Sequence, residues 1–564
     1  EFKHKFDENV KIEDEIDILD IIKKNIMDEN SRYLMLISEG NSSSDILSYL
    51  LTKLNRKYIS LVGSKYKADI KSGRYSEEIL NKIKYIMETD DILLMQDLDM
   101  IYPSLYDLFN QNFTCMGDKR FARIAFETAR ISSEVNKDFH AIVIVGQNQI
   151  DSLKLDPPFL NRFEKHIINF QMLLDKRDIE IAQHINEFIE LIASFNNEKD
   201  LKIDLEQLLI NCKLHNIEGL IFKIKNNLKE KMKDNAEFFK EDNPEYEKTI
   251  IKECLEKIVP TFCQDIIASL IFCKFEQQYK DIKETMIEIY KRHFCNNFES
   301  FFKKIETRKN IIYTFSKTNE ELFKENQQIE NKFGVFTNDL EDRTIDSIKS
   351  ERDLIFILKG FINDEKKKLL ILRFSEQHLN KMNSVNYVIS NFQAENPSLN
   401  EKVILFIVHK QRFEKNDGKE KKISPDLIPL INSDYNQIFI DNLQGKENSD
   451  VFKIMQKKNE ELAKEYIDNS TFIENKIFYV LSYMKYTILF ETKDLNMNNF
   501  TTTIAEKIIK NDQIKELIKN NLKAQGKSIK GIIKDIFTTG ILEVNDVDFF
   551  EVINSKLRDR KSVV

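Results

Sequence analysis

The sequence predicts an α/β protein made of two parallel, doubly wound sheets, each followed by a helical region. Three observations carry that expectation. Over residues 31–170, short apolar runs of strand length alternate with amphipathic segments of helix length. From 171 to about 305 the pattern turns helical, with apolar residues at i, i+3 and i+4 and few breakers. The α/β rhythm then returns more weakly over 306–450, before a mostly helical region at 451–564. With residues 1–30 as an N-terminal helical segment, the chain divides into five parts, and its two α/β-then-helical blocks look like a duplicated module.

Taken in order, the acidic first segment places Ile12, Ile16, Leu19, Ile22 and Ile26 at helical spacing. A strand is expected at Tyr33–Ile37, a helix from about Asp45 to Leu54, and a second strand at Tyr58–Val62. Ser76 is the expected cap of a helix running to Met87, with Glu77 and Glu78 in its first turn. A third strand follows at Ile92–Met95, then a helix from about Pro103 to Phe113, where an early proline suits the start. Residues 119–136 suggest a strand or hairpin, and Ala141–Val145 a further strand. In the second block the strand candidates are Ile311–Phe315, Leu369–Leu372, Val403–Val408 and Gln437–Ile440. The charge run between Phe413 and Pro425 is most simply a solvated loop.

A chain of 564 residues is too long for one domain. Charged residues make up 32% and hydrophobic residues 41%, as in a soluble protein with large helical surfaces. The net charge is −8 and the basic residues are scattered, which disfavours broad binding to nucleic acid. The six cysteines (Cys115, Cys212, Cys254, Cys263, Cys273 and Cys295) form no C-x-x-C pair, so they build no zinc ribbon, RING finger or thioredoxin-like site. Their sparse use suits buried thiols in a reducing compartment. No apolar run approaches the roughly 18–20 residues of a membrane span. The chain begins at Glu1 without a signal-peptide pattern, and it reads as an internal piece of a larger, cytoplasmic protein.

Asp156-Pro-Pro-Phe-Leu-Asn-Arg-Phe-Glu-Lys-His166 is the most informative stretch. A proline-broken turn that presents Asn-Arg-Phe after a buried strand is how AAA+ ATPases carry an arginine into a neighbouring nucleotide site. Arg162 would be that finger, directed by Asn161 and the turn at 157–158, or else a structural salt-bridge partner of Glu164 or of an acidic neighbour. A phosphate-binding loop needs glycines and a lysine, whereas Glu39-Gly-Asn-Ser-Ser-Ser-Asp45 offers only Gly40, then Ser42, Ser43 and Ser44, with a carboxylate at each end. That loop is expected to be dead. Asp97 and Asp99 stand where a Mg²⁺-binding strand would end, but they alternate instead of being adjacent. They share a side if the strand continues, or lie in a turn if it stops at Gln96, where they would solvate or cap the next helix. Gln147 and Asn148 occupy a sensor-like place past the fourth strand, and ordinary turn hydrogen bonds explain them equally well. Lys317-Thr318 mimics the end of a phosphate loop but lacks its glycines. His140 and His166 read as strand-edge residues, and no nucleophilic constellation can be assembled.

Three pieces together resemble the AAA+ core of the mysterin-type giant RING-finger E3 ubiquitin ligases. They are Tyr102-Pro-Ser-Leu-Tyr-Asp-Leu-Phe-Asn110, Lys137-Asp-Phe-His-Ala-Ile-Val-Ile-Val145 and Pro158-Phe-Leu-Asn-Arg-Phe-Glu-Lys-His166. A weaker similarity continues through 368–372 and 403–408. The resemblance implies a dynein-like ring of six AAA+ modules in one chain, with only some nucleotide sites working. It places this segment among the late, degenerate modules. ATP and Mg²⁺ would then belong to neighbouring modules and Zn²⁺ to the parent's RING, with none bound here. The implied partners are the adjacent modules and, through the ligase half, a ubiquitin-conjugating enzyme. The expected function is transmission of ATP-driven motion, with Arg162 lent to the preceding module. A free-standing atypical NTPase and a non-enzymatic helical scaffold are the alternatives.

Overall fold

The computed structural model describes residues 17–444 apart from 29, 39–41, 127–128, 152–154, 195–207, 211, 233–236, 241–242, 264–265, 268–269, 271–275, 296, 320, 324–327, 411–434 and 442. The start of the expected first helix, the charged loop at 413–425 and the helical region at 451–564 lie outside these residues.

The first block contains β1 (Leu34–Ser38), β2 (Tyr58–Val62), β3 (Ile92–Gln96), β4 (Thr114–Met116), β5 (Lys119–Phe126), β6 (Ala129–Val135), β7 (His140–Gly146) and β8 (Glu164–Ile167). Five of these form a wholly parallel sheet in the order β2-β3-β7-β1-β8. The second block adds β9 (Lys309–Thr314), β10 (Leu340–Thr344), β11 (Leu369–Ser375), β12 (Val403–His409) and β13 (Asn436–Phe439). Its sheet, also wholly parallel, runs β10-β11-β12-β9-β13. Counted along the chain, the five strands of each parallel sheet stand in one order, 2-3-4-1-5. The expected α/β class with a repeated module is therefore present.

Strand alternation explains the layering. Leu34, Leu36, Leu94, Ile142 and Ile144 face one side with Ile46, Leu47, Leu50 and Leu51 of the helix Ser42–Lys53. Met35, Ile37, Leu93, Met95 and Val143 face the other, against Ile79, Leu80, Ile83 and Met87 of the helix Gly73–Met87. Buried on both faces, the strands read as continuous apolar runs, as parallel sheets require. The step from first to second strand runs opposite to the later steps, and right-handed crossovers then put its helix on the opposite face. The first core continues through the helices Lys176–Ser194, Leu214–Lys231, Pro244–Ile258 and Lys280–His293 into one face of the second sheet. Inside the helical part, Lys225 reaches Asp175 and Asp178, and the Tyr246 hydroxyl donates to Asp178 at 2.7 Å, pinning three helices together. The helix Phe298–Lys304 follows that part in sequence but packs Phe298, Phe301 and Phe302 on the far face of the second sheet.

Several local expectations need correction. The helix ending at Met87 begins at Gly73, and Ser76 is inside it, with its hydroxyl toward Met100 Sδ. The segment after Pro103 is a 3-10 turn (Tyr102–Leu105) and one short helical turn (Tyr106–Phe109), stopped by Gln111 in a left-handed conformation (φ 56°). The hairpin at 119–136 is present as β5 and β6, and β4 completes a small antiparallel sheet beside it. His140 begins an interior strand, whereas His166 is on the edge strand β8. β10 escaped the sequence reading because an edge strand of sequence Leu-Glu-Asp-Arg-Thr carries no apolar run. Its charges are paired instead, Glu341 with Lys367 and Arg343, and Asp342 with Arg373.

The two blocks meet where Asp69 caps the helix Glu351–Asn363, accepting from the Glu351 backbone N–H at 2.9 Å and from Ser64 Oγ at 2.7 Å. Arg352 pairs with Glu78 beside it, and the Tyr387 hydroxyl donates to the Ser60 carbonyl at 2.7 Å. Burial, and then the nearby Asp69 carboxylate, push the Glu351 carboxyl up to about 7. A carboxyl raised in the folded state favours folding fully below its unfolded value and loses that advantage as pH rises through 7. Glu351→Gln is therefore expected to gain about 2 kcal/mol on the wild type between pH 5 and pH 8 in urea unfolding, allowing for partial exposure. A difference between the two proteins that does not change with pH would remove Glu351 as its source.

Candidate functional site

In open parallel sheets, ligands bind at the carboxyl ends of strands where neighbouring connections diverge. Here that point lies between β1, whose chain leaves toward β2, and β7, whose chain leaves toward β8. Gly40 falls outside the described residues. The helix that follows begins at Ser42, three residues earlier than expected, so that Ser42 and Ser43 are buried in its first turn and Ser44 is half-buried. The Ser43 backbone N–H donates to Ser38 Oγ at 3.1 Å. A helix-start N–H of the kind that binds phosphate is thus satisfied by the chain's own hydroxyl. Ser43 Oγ is itself buried without a hydrogen-bond partner.

β3 stops at Gln96, so of the two arrangements open to Asp97 and Asp99 the structure adopts the turn. Asp97 is left-handed (φ 56°), Leu98 is buried between the carboxylates, and Asp99 is exposed. Asp97 Oδ1 accepts from Lys65 Nζ at 2.8 Å and from Gln149 Nε2 at 3.1 Å. Gln149 in turn accepts the Gly146 N–H at 3.1 Å through Oε1. Gln147 and Asn148 belong to the same short helix, Gln147–Asp151, with Gln147 half-buried. The residue that spans to Asp97 is thus Gln149. A helical turn beginning directly after β7 is the signal that could have found it, because position 149 then folds back over the strand end.

Lys65 had no such signal, because it is presented by a loop set by tertiary contacts. Gly63 N–H donates to the Gln96 carbonyl at 2.8 Å, Ser64 N–H to Tyr75 Oη at 2.9 Å, and Tyr66 N–H to Ser64 Oγ at 3.2 Å. A side chain at Gly63 would place its Cβ 1.8 Å from the Asp97 carbonyl oxygen, so glycine is required by that close approach. An ammonium group therefore sits against the carboxylate that a Mg²⁺ ion would need, and the helix N–H is already occupied. Among the described residues this donor set does not fit a magnesium triphosphate.

The corresponding edge of the second sheet is closed by other residues. Among the described residues no α-helix follows Lys317-Thr318 before the 3-10 turn Thr337–Asp339. Arg373, near the end of the third strand, is 4% exposed and grips Asp342, through Nε at 2.8 and 2.9 Å and through Nη2 at 2.6 Å. Its Nη1 donates to the Thr318 carbonyl at 3.0 Å. His409 Nδ1 lies 2.7 Å from the Ser316 carbonyl, and burial lowers this imidazole's pKa. A buried arginine in this position supplies no metal ligand.

Arg162 stands at the other end of the first sheet. It ends the turn after the short helix Pro157–Leu160, which Asp156 caps by accepting the Phe159 N–H at 3.2 Å. Glu164, two residues on, pairs in register with Leu34 at the start of β1. Arg162 is therefore separated from Ser38, at the carboxyl end of β1, by a strand length, about 13 Å. Its guanidinium lies 3.8 Å above the Tyr106 ring and also donates to the Pro158 carbonyl, while its Nε is buried without a partner. Glu164 is engaged elsewhere, by Asn25 at 2.7 Å and His166 at 2.7 Å, so the expected Arg162–Glu164 alternative is not formed. Asn161 is exposed, and its backbone carbonyl accepts from Arg32 at 3.3 Å.

Residues 23–174 match the family model described as the RNF213 AAA domain. The human E3 ubiquitin-protein ligase RNF213 is 26% identical over 193 residues, 32% of this chain and 4% of the relative. The zebrafish (Danio rerio) E3 ubiquitin-protein ligase rnf213-beta is 27% identical over 158 residues, 27% of this chain and 3% of the relative. A Dictyostelium discoideum protein described as a putative uncharacterized transmembrane protein is 24% identical over 328 residues, 54% of this chain and 5% of that protein. These matches to an E3 ubiquitin-protein ligase with an AAA domain agree with the resemblance read from the three motifs. The matched stretches cover a small fraction of each relative's length. Among the described residues no helix is long and apolar enough to cross a membrane.

Gly63→Ala is expected to cost about 2–4 kcal/mol in urea unfolding, because the obstacle is main chain and cannot rotate away. A loss below about 0.5 kcal/mol would mean that the Asp97 turn is not held in this form.

Proposed function

We propose that this chain forms two non-hydrolysing AAA+ modules within the motor ring of an RNF213-like cytoplasmic E3 ubiquitin ligase. Its work would be mechanical. It completes an arc of the ring, relays motion driven by ATP and Mg²⁺ in neighbouring modules, and passes that motion toward a zinc-bearing ligase half that meets a ubiquitin-conjugating enzyme. The observation that supports this reading most directly is the contrast between the two ends of the first sheet. At one end Asp97 is neutralised by Lys65, and at the other Arg162 carries no carboxylate partner among the described residues.

In this reading Arg162 is an arginine finger for the preceding module. A cation–π contact at a partly exposed site is worth only about 0.5–1 kcal/mol. Releasing Arg162 from Tyr106 toward a developing phosphoryl charge next door therefore costs little. The turn capped by Asp156 fixes where the side chain starts, and Asn161 lies beside it on the exposed surface.

In a longer chain that includes the preceding module, Arg162→Ala is expected to slow ATP turnover by on the order of 10³-fold while leaving ATP affinity nearly unchanged. Unchanged turnover would remove the finger role. A matched loss of ATP affinity would instead mean that the arginine supports nucleotide binding.

A further inference from the structure

A cavity of about 150 Å³ opens at the amino ends of the first sheet's strands, away from the edge that holds Asp97. Tyr33, just before β1, and His140, the first residue of β7, form part of its wall, and Arg56, Arg120 and Lys137 line it as well. Tyr33 and His140 are 2% and 5% exposed, and the Tyr33 hydroxyl and His140 Nε2 are both buried without a hydrogen-bond partner. Leaving two such atoms unpaired costs free energy; both are sealed from solvent, so a ligand returns that cost once a small shift of each side chain turns its polar atom into the cavity.

The cations are placed by neutral groups. Arg56 Nη2 donates to the carbonyls of Asp90 at 3.3 Å and Asp138 at 3.0 Å. Arg120 donates through Nε to the Val135 carbonyl at 3.2 Å and through Nη2 to those of Asn136 and Lys137, with its guanidinium over Phe113. These bonds fix direction without cancelling charge. Two carboxylates also line the cavity, Asp28 and Asp138. Asp28 is already accepting from the Asn30 N–H and the Ser31 hydroxyl, each at 2.9 Å. Burial, and then Arg56, push the His140 imidazole down to about 4, so at neutral pH it enters uncharged and can donate one hydrogen bond. The balance is three cations against two anions, with an extra hydroxyl and imidazole.

We propose that this cavity binds a phosphate group, held by Arg56, Arg120 and Lys137 with hydrogen bonds from Tyr33 and His140. A cavity of this volume has room for a phosphate group.

The test is the melting temperature of the whole chain at constant ionic strength, with chloride replaced by inorganic phosphate or by O-phosphoserine. Wild type is expected to melt higher as phosphate is added, beyond the effect of sulfate-free chloride controls. Tyr33→Phe keeps the buried ring and should melt no lower than wild type without phosphate, while the concentration for half the phosphate effect rises about tenfold, the usual loss for a hydrogen bond to a charged group. Arg120→Gln should lose the effect. A response to both compounds identifies a free ion as sufficient, and a response to phosphoserine alone identifies a phosphate carried on a chain. No response to either, or a Tyr33→Phe response equal to the wild type's, would overturn the proposal.

Discussion

Within each of the two main sheets every strand runs the same way, and that constraint governs the rest of the molecule. Parallel pairing needs a crossover for each strand, so helices cover both faces and strand interiors are apolar. Polar groups are driven to the strand ends, where those left partly buried must find partners. At the carboxyl edge of the first sheet they find one another, through Lys65, Asp97 and Gln149. At the same edge of the second sheet Arg373 and Asp342 do so. The two solutions use different residues on one strand order. Each puts a protein cation against a carboxylate at the carboxyl edge of its sheet.

That edge is tied to the junction between the blocks. Ser64, next to Lys65, donates to Asp69, and Asp69 caps the helix on which Glu351 stands. A displacement of the loop at 63–66 would therefore disturb the cap of a helix in the second block. Because the first core runs without interruption from β1 through the helical part to β12, the blocks have little freedom to answer such a displacement by local rearrangement. This is the physical content of relay in the proposed ring: a few polar contacts on a continuously packed body.

Much of the fold was legible because it rests on patterns of a single residue class. The apolar runs at β1, β3, β7, β11 and β12 are sheet interiors and could be read directly. β10 and β4 could not, being edge strands with charged or exposed residues, and neither could the early start of the helix at Ser42. The site was legible by region more than by residue. Asp97 and Arg162 stand out by type and place, but Lys65 reaches Asp97 only through the fold of a loop more than thirty residues earlier. Gln149 depends on a helical turn that begins directly after β7 and folds position 149 back over the strand end. The two cavity groups Tyr33 and His140 look like ordinary core and strand-end residues until the sheet brings them together.

Closure of the first sheet's carboxyl edge by the protein's own charges is the proposal on which the rest turns. It is tested most directly by equilibrium dialysis of labelled ATP with the chain, with and without Mg²⁺. The closed edge predicts no Mg²⁺-dependent binding at millimolar nucleotide or below. Saturable, Mg²⁺-dependent binding that Asp97→Asn abolishes would contradict it.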